Sequence, residues 1–161
     1  MTSPRLAAVL VTAAALAVPA SIAVANANHP EWPAINGRHW SADSTGKTFV
    51  LGTPRNDELL GGAGSDRIYG RGGNDVIWGT RLASENNAAQ HDILDGGPGR
   101  DYIYASKGRN DISGGPGNDV IRAHFGTGGV IDCGPGDDVV QLSHRSARRY
   151  VIRNCEHRTF H

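Results

Sequence analysis

Six short stretches set one to three glycines ahead of an aspartate at a fixed place. They read "GTPRND" (52–57), "GGAGSD" (61–66), "GRGGND" (70–75), "GGPGRD" (96–101), "GGPGND" (114–119) and "CGPGDD" (133–138). Glycine admits backbone angles closed to other residues and leaves carbonyl oxygens unshielded by a Cβ. Each stretch therefore offers one carboxylate and several free carbonyls. Oxygen-only ligand sets of this kind suit a hard cation, which takes six to eight oxygens at about 2.3–2.6 Å. Asp57, Asp66, Asp75, Asp101, Asp119 and Asp138 are the candidate charged ligands, and Asp92 joins them at the end of a longer stretch. The candidate carbonyl donors are Gly52, Gly70, Gly72, Gly73, Gly96, Gly97, Pro98, Gly99, Gly114, Gly115, Pro116, Gly117, Gly134 and Gly136.

The elements that must hold these oxygens follow from the period. With Gly61 as position 1 of a nine-residue unit, and the frame restarted at Gly96 and at Cys133, Asp57, Asp66, Asp75, Asp101, Asp119 and Asp138 fall on position 6. Leu59, Ile68, Ile77, Leu94, Ile103, Ile112, Ile121, Ile131 and Val140 fall on position 8, and all are aliphatic. Their neighbours vary freely, as Glu58, Arg67, Val76, Asp111 and Val139 show. One constrained position between free ones is the pattern of a very short strand whose middle side chain points inward. No such unit buries its own apolar side, so stability must come from stacking many of them.

The units "GGAGSDRIY" (61–69), "GGPGRDYIY" (96–104) and "GGPGNDVIR" (114–122) match the pattern G-G-x-G-x-D-x-U-x in full. On those residues the chain resembles the RTX, or hemolysin-type, calcium-binding nonapeptide repeat family over residues 48–141. The resemblance implies an all-β fold, a right-handed parallel β-roll (a two-sheet β-solenoid) of nine-residue repeats with short end caps. It implies Ca2+ as the bound cation, held between a turn and the turn one full coil later. Carbonyls from positions 1 and 3 of one turn, and 2 and 4 of the next, would join both position-6 aspartates.

The segment "GTRLASENNAAQHD" (79–92) interrupts the period. It reads either as two degenerate repeats or as one enlarged turn. The one-turn reading puts every turn ending in Asp57, Asp75, Asp101, Asp119 and Asp138 on one edge of the roll. It predicts up to four ions there, one between each consecutive pair. The other edge would hold at most one, between Asp66 and Asp92, because Asn110 replaces the next aspartate. Arg55 takes the place of the fourth-position glycine in the first turn, which predicts weak binding there. Arg100, Arg109 and Arg122 are candidates to offset the stacked carboxylates.

The ends read differently. Arg5, the apolar run 6–18 and the "ANA" at 25–27 form a secretory signal-peptide pattern over residues 1–27, with a retained anchor as the alternative. Secretion and an extracellular location follow from the first reading. Residues 28–47, with Trp32 and Trp40, are expected to close one end, and residues 142–161 the other. Cys133 and Cys155 are the only cysteines. An isolated pair in an oxidising compartment predicts a disulfide, since a metal site would want more Cys or His at close spacing.

The sequence of 161 residues carries 16 basic and 16 acidic side chains, so its formal charge argues for no nucleic-acid partner. His29, His39, His91, His124, His144, His157 and His161 lack ligand spacing. Ser84, His91 and Asp92 lie near the enlarged turn, but no nucleophile elbow, H-E-x-x-H or phosphate loop is present. The expectation is a monomeric, non-enzymatic, calcium-binding protein. The alternative is an adhesin or glycan-binding module, touching cell-wall glycans through the aromatic residues Trp78, Tyr102 and Tyr104 on one sheet face.

Overall fold

The computed structural model describes residues 29–42, 47–80 and 88–161. The signal-peptide pattern, Ser84 and much of the enlarged turn lie outside them. Among the described residues thirteen strands follow one another: β1 (His39–Ser41), β2 (Phe49–Leu51), β3 (Glu58–Leu60), β4 (Arg67–Tyr69), β5 (Val76–Trp78), β6 (His91–Asp95), β7 (Tyr102–Tyr104), β8 (Arg109–Ser113), β9 (Val120–Ala123), β10 (Gly128–Asp132), β11 (Val139–Leu142), β12 (Tyr150–Arg153) and β13 (His157–Phe160). One four-residue helix, α1 (His144–Ala147), sits between β11 and β12. Odd-numbered strands form a seven-stranded sheet and even-numbered strands a six-stranded sheet, in strict chain order. All pairings are parallel. The chain is thus a β-solenoid, each coil giving one strand to each sheet.

Register explains why position 8 is aliphatic. Leu59, Ile77, Ile103, Ile121 and Val140 pair in sequence along one sheet. Val50, Ile68, Leu94, Ile112 and Ile131 do so along the other. All ten are buried in one cluster. Burial of each such side chain is worth roughly 1.5–3 kcal/mol, which a three-residue strand cannot secure without its neighbours.

The single-enlarged-turn arrangement is the one found: β5 pairs with β7 across the interruption. Strands at both ends of the described region extend the solenoid. β1 adds a strand beside β3, with Trp40 against Leu59. β12 and β13 add one strand to each sheet. The disulfide Cys133–Cys155 is formed, with Cα atoms 5.2 Å apart.

The aromatic residues on the outer face of the seven-stranded sheet are not an open platform. Trp78 and Tyr104 stack at 4.0 Å. Trp32 packs edge-on against both and donates from Nε1 to the Tyr104 hydroxyl at 2.7 Å. Tyr102 is 2 % exposed and Tyr104 9 %. The sequence did not show that residues 29–36 fold across this face. Arg100 and Arg122 lie over the Tyr102 and Tyr104 rings, and Arg109 pairs with Asp111 at 3.2 Å. These arginines serve the outer surface, away from the stacked carboxylates.

Candidate metal centre

Each turn on the first edge ends in an aspartate just before an odd-numbered strand. Because those strands pair in register, the aspartates form a column. Asp57 donates its N–H to Asp75 Oδ1 (2.7 Å), Asp75 to Asp101 Oδ1 (2.7 Å), Asp101 to Asp119 Oδ1 (2.8 Å) and Asp119 to Asp138 Oδ1 (2.7 Å). One carboxylate oxygen per rung is spent on this ladder. The other, Oδ2, is buried without a hydrogen-bond partner in Asp75, Asp101, Asp119 and Asp138. A buried carboxylate oxygen left unpaired is costly.

Backbone oxygens converge on the same places. A Cβ built on Gly70, Gly96 or Gly114 would be wedged between the turn's own aspartate Oδ2 and a carbonyl of the following turn, that of Gly96, Gly114 or Cys133. Second-position residues Arg71, Gly97, Gly115 and Gly134 have φ of 80°, 89°, 105° and 102°. A Cβ on Gly97, Gly115 or Gly134 would meet the carbonyl oxygen of Arg71, Gly97 or Gly115. Fourth-position Gly99 and Gly117 have φ of 149° and 152°, and face the Gly73 and Gly99 carbonyls in the same way. Carbonyls of one turn thus point at the next across a gap with no room for a side chain. No group of three His, Cys, Asp or Glu gathers among the described residues. A cage of two carboxylates completed by carbonyls is not such a group.

The unpaired oxygens and convergent carbonyls fit a hard cation. Without one, burial raises these carboxyls far above the usual range. Asp101 is pushed up to about 8, and Asp75 and Asp119 to about 7. Asp138 is raised as well, first by burial and then by Glu156 and Asp137.

The first turn is built differently. Thr53 and Arg55 stand at positions 2 and 4, and neither takes the left-handed conformation. Asp57 Oδ2 accepts the Thr53 N–H, and Oδ1 accepts the Arg38 N–H and the Thr53 hydroxyl. Asp57 and Asp75 are stacked, but the oxygens of Asp57 are already engaged by the protein.

On the second edge Asp66 donates its N–H to Asp92 Oδ1 at 2.9 Å. Asp66 itself accepts from Thr48 and Gly62 backbone N–H groups. The Gln90 amide reaches into this turn and donates to the Gly64 carbonyl at 2.9 Å and more weakly to that of Gly62. One rung on, the Asn110 amide donates to the Ser106 and Gly108 carbonyls at 3.0 and 2.8 Å, and to the Tyr150 hydroxyl. Side-chain N–H groups here meet the carbonyls of positions 2 and 4, which on the first edge point at the following turn. Asn110 was visible in the sequence as a missing aspartate. The reach of Gln90 was not. His91 and Asp92, adjacent on β6, face opposite ways, one exposed and paired with Asp111, the other buried.

Gly117→Ala is expected to disturb the first edge with little effect on the core, because the new methyl would strike the Gly99 carbonyl. A loss of about 1–3 kcal/mol in denaturant unfolding is the expected result. Full wild-type stability would show that the turns are not held this closely.

The RTX calcium-binding nonapeptide repeat model matches residues 51–81 and 88–121, in four copies. Comparison with curated proteins and with solved structures gives no match.

Proposed function

We propose that the repeat region of this chain, in which residues 51–81 and 88–121 match the RTX calcium-binding nonapeptide repeat model, belongs to that family and binds a row of calcium ions along the first edge of its solenoid. The observation that carries the reading is the column of buried, unpaired Oδ2 atoms on Asp75, Asp101 and Asp119, ending at Asp138. The proposed ions lie between Asp75 and Asp101, Asp101 and Asp119, and Asp119 and Asp138. Each cage takes carbonyls from the glycine positions around it. The row omits the Asp57–Asp75 and Asp66–Asp92 pairs: both oxygens of Asp57 and of Asp66 accept from protein donors, and Gln90 occupies the Gly62 and Gly64 carbonyls, so the buried, unpaired Oδ2 of Asp92 has no second free carboxylate beside it.

When bound, calcium supplies the charge that stacked carboxylates lack. The chain's own part is to hold the oxygens apart at fixed spacing, exclude water from the column and keep the aliphatic ladder in register. Folding is coupled to the ion in this scheme. The protein acts outside the cell as a calcium-stabilised scaffold rather than as an enzyme. A glycan-stacking role for Trp78 and Tyr104 has less support, since Trp32 covers both rings.

Isothermal calorimetry and circular dichroism of the purified chain, with calcium and then with chelator, test this. The expected result is saturable binding of several ions per chain and a lower unfolding midpoint on chelation. Absence of binding at millimolar calcium would refute it.

A further inference from the structure

We propose that the row extends one rung past the last glycine turn, to a calcium site formed by Asp138 and Glu156. The inference rests on the calcium-binding reading above. It concerns residues beyond the segments that match the repeat family, which end at residue 121.

Glu156 occupies the next place in the carboxylate ladder. β13 pairs with β11 in register, so Glu156 lies one rung above Asp138. Its Oε2 accepts the Asp138 N–H at 3.0 Å, as each aspartate below accepts the N–H of its predecessor. The turn is only three residues long, Asn154 to Glu156, between β12 and β13. A glutamate is suited to it because the added methylene makes up for backbone that a full six-residue turn would provide. Asp138 is fully buried, and its Oδ2 has no partner. On lower rungs the equivalent oxygen lies near a carbonyl of the following turn, and on this rung the following turn is 154–156.

The remaining oxygens are in place. Gly134, Pro135, Gly136, Asn154 and Glu156 line one hollow at this end of the edge. Gly134 and Gly136 repeat the positions of Gly115 and Gly117, whose carbonyls point at the following turn. Above them stands only the short turn, so their carbonyls face the hollow. Asn154 takes a left-handed φ of 49° and donates its amide to Asp132 Oδ1 at 2.8 Å, which leaves its own side-chain oxygen as an acceptor. The Cys133–Cys155 disulfide clamps the short turn against the glycine turn. Asp137 lies on the rim, held by His157 at 2.7 Å. The site has two carboxylates like the others but is open to water on one side. It is therefore the weakest of the row and the first to empty.

Glu156→Gln tests the proposal, because glutamine keeps an acceptor for the Asp138 N–H and removes the charge. Calorimetric titration of the purified full chain with calcium is expected to show one ion fewer than wild type, the weakest step being lost. An unchanged count and affinity would overturn this site while leaving the rest of the row intact. Wild-type protein that binds no calcium would overturn both. Should the variant fail to fold, crystals of the wild type grown in calcium decide the matter. Anomalous density between Asp138 and Glu156 supports the site, and filled lower rungs with none there overturn it.

Discussion

In chelator the protein is expected to lose stability as pH rises from about 4 to about 8, and in saturating calcium that trend is expected to reverse. Asp101 is raised from 3.8 to about 8, chiefly by burial and further by the carboxylates of Asp119, Asp75 and Asp95. Asp75 and Asp119 reach about 7 for the same leading reason. A group whose folded pKa exceeds its unfolded value binds its proton more tightly when folded. Its contribution is complete below pH ~4 and is lost as pH climbs through 7 to 8. Each such proton contributes about 1.4 kcal/mol per pH unit within its window. His124 works the other way, since burial, then His161 and Arg122, lower its pKa. It is one group against a column of carboxyls. Calcium needs the same carboxyls ionised, so its stabilisation grows across the window in which the protons leave. Thermal midpoints at four pH values between 5 and 8, in chelator and in calcium, give the two slopes. A flat or rising series in chelator would mean the column is already neutralised by other groups.

The sequence carried the core and the allocation of turns to edges because both depend on local periodicity. One aliphatic per unit fixes the inward face. One enlarged turn between Trp78 and Ile93 keeps Asp57, Asp75, Asp101, Asp119 and Asp138 on the same side. What the period does not encode is what fills each cage. Asp57 looks like any other sixth-position aspartate. Its oxygens are claimed by Thr53, and by Arg38 from a segment with no repeat at all. Gln90 meets Gly62 and Gly64 from within the enlarged turn, where no phase can be assigned. Glu156 stands 18 residues after Asp138, two nine-residue units on, but residues 142–153 contain no glycine to mark the frame and the side chain is not an aspartate. The pairing of β13 with β11 reveals its place. Trp32 covers Trp78 and Tyr104 across a large sequence separation, and neither side announces the contact. Repeats made the scaffold readable; the closures at its ends and along its second edge are single long-range contacts.

Replacing Asp101 with asparagine is expected to move stability in opposite directions with and without metal. Asp101 belongs to two proposed cages, below Asp119 and above Asp75, and is the most strongly raised carboxyl of the column. The second edge of the same molecule already shows how asparagine behaves in such a turn. Asn110 is fully buried, its side-chain oxygen accepts from Ser106, and its amide satisfies the Ser106 and Gly108 carbonyls. At position 101, asparagine would keep an acceptor for the Asp75 N–H now bound by Oδ1. Its amide would turn toward carbonyls otherwise left facing one another. A buried charge and its repulsion with both neighbours would be gone. In chelator at pH 8, Asp101→Asn is therefore expected to be more stable than wild type, on the order of 1–3 kcal/mol. In calcium, two adjacent cages each lose one of two carboxylates. Affinity at both falls by at least roughly tenfold, or about 1.4 kcal/mol per ion, and the variant becomes the less stable protein. Chemical unfolding of both proteins in the two conditions reads the crossing directly. Equal destabilisation with and without calcium would show that Asp101 serves only the backbone ladder, and the row of ions would lose its central rung.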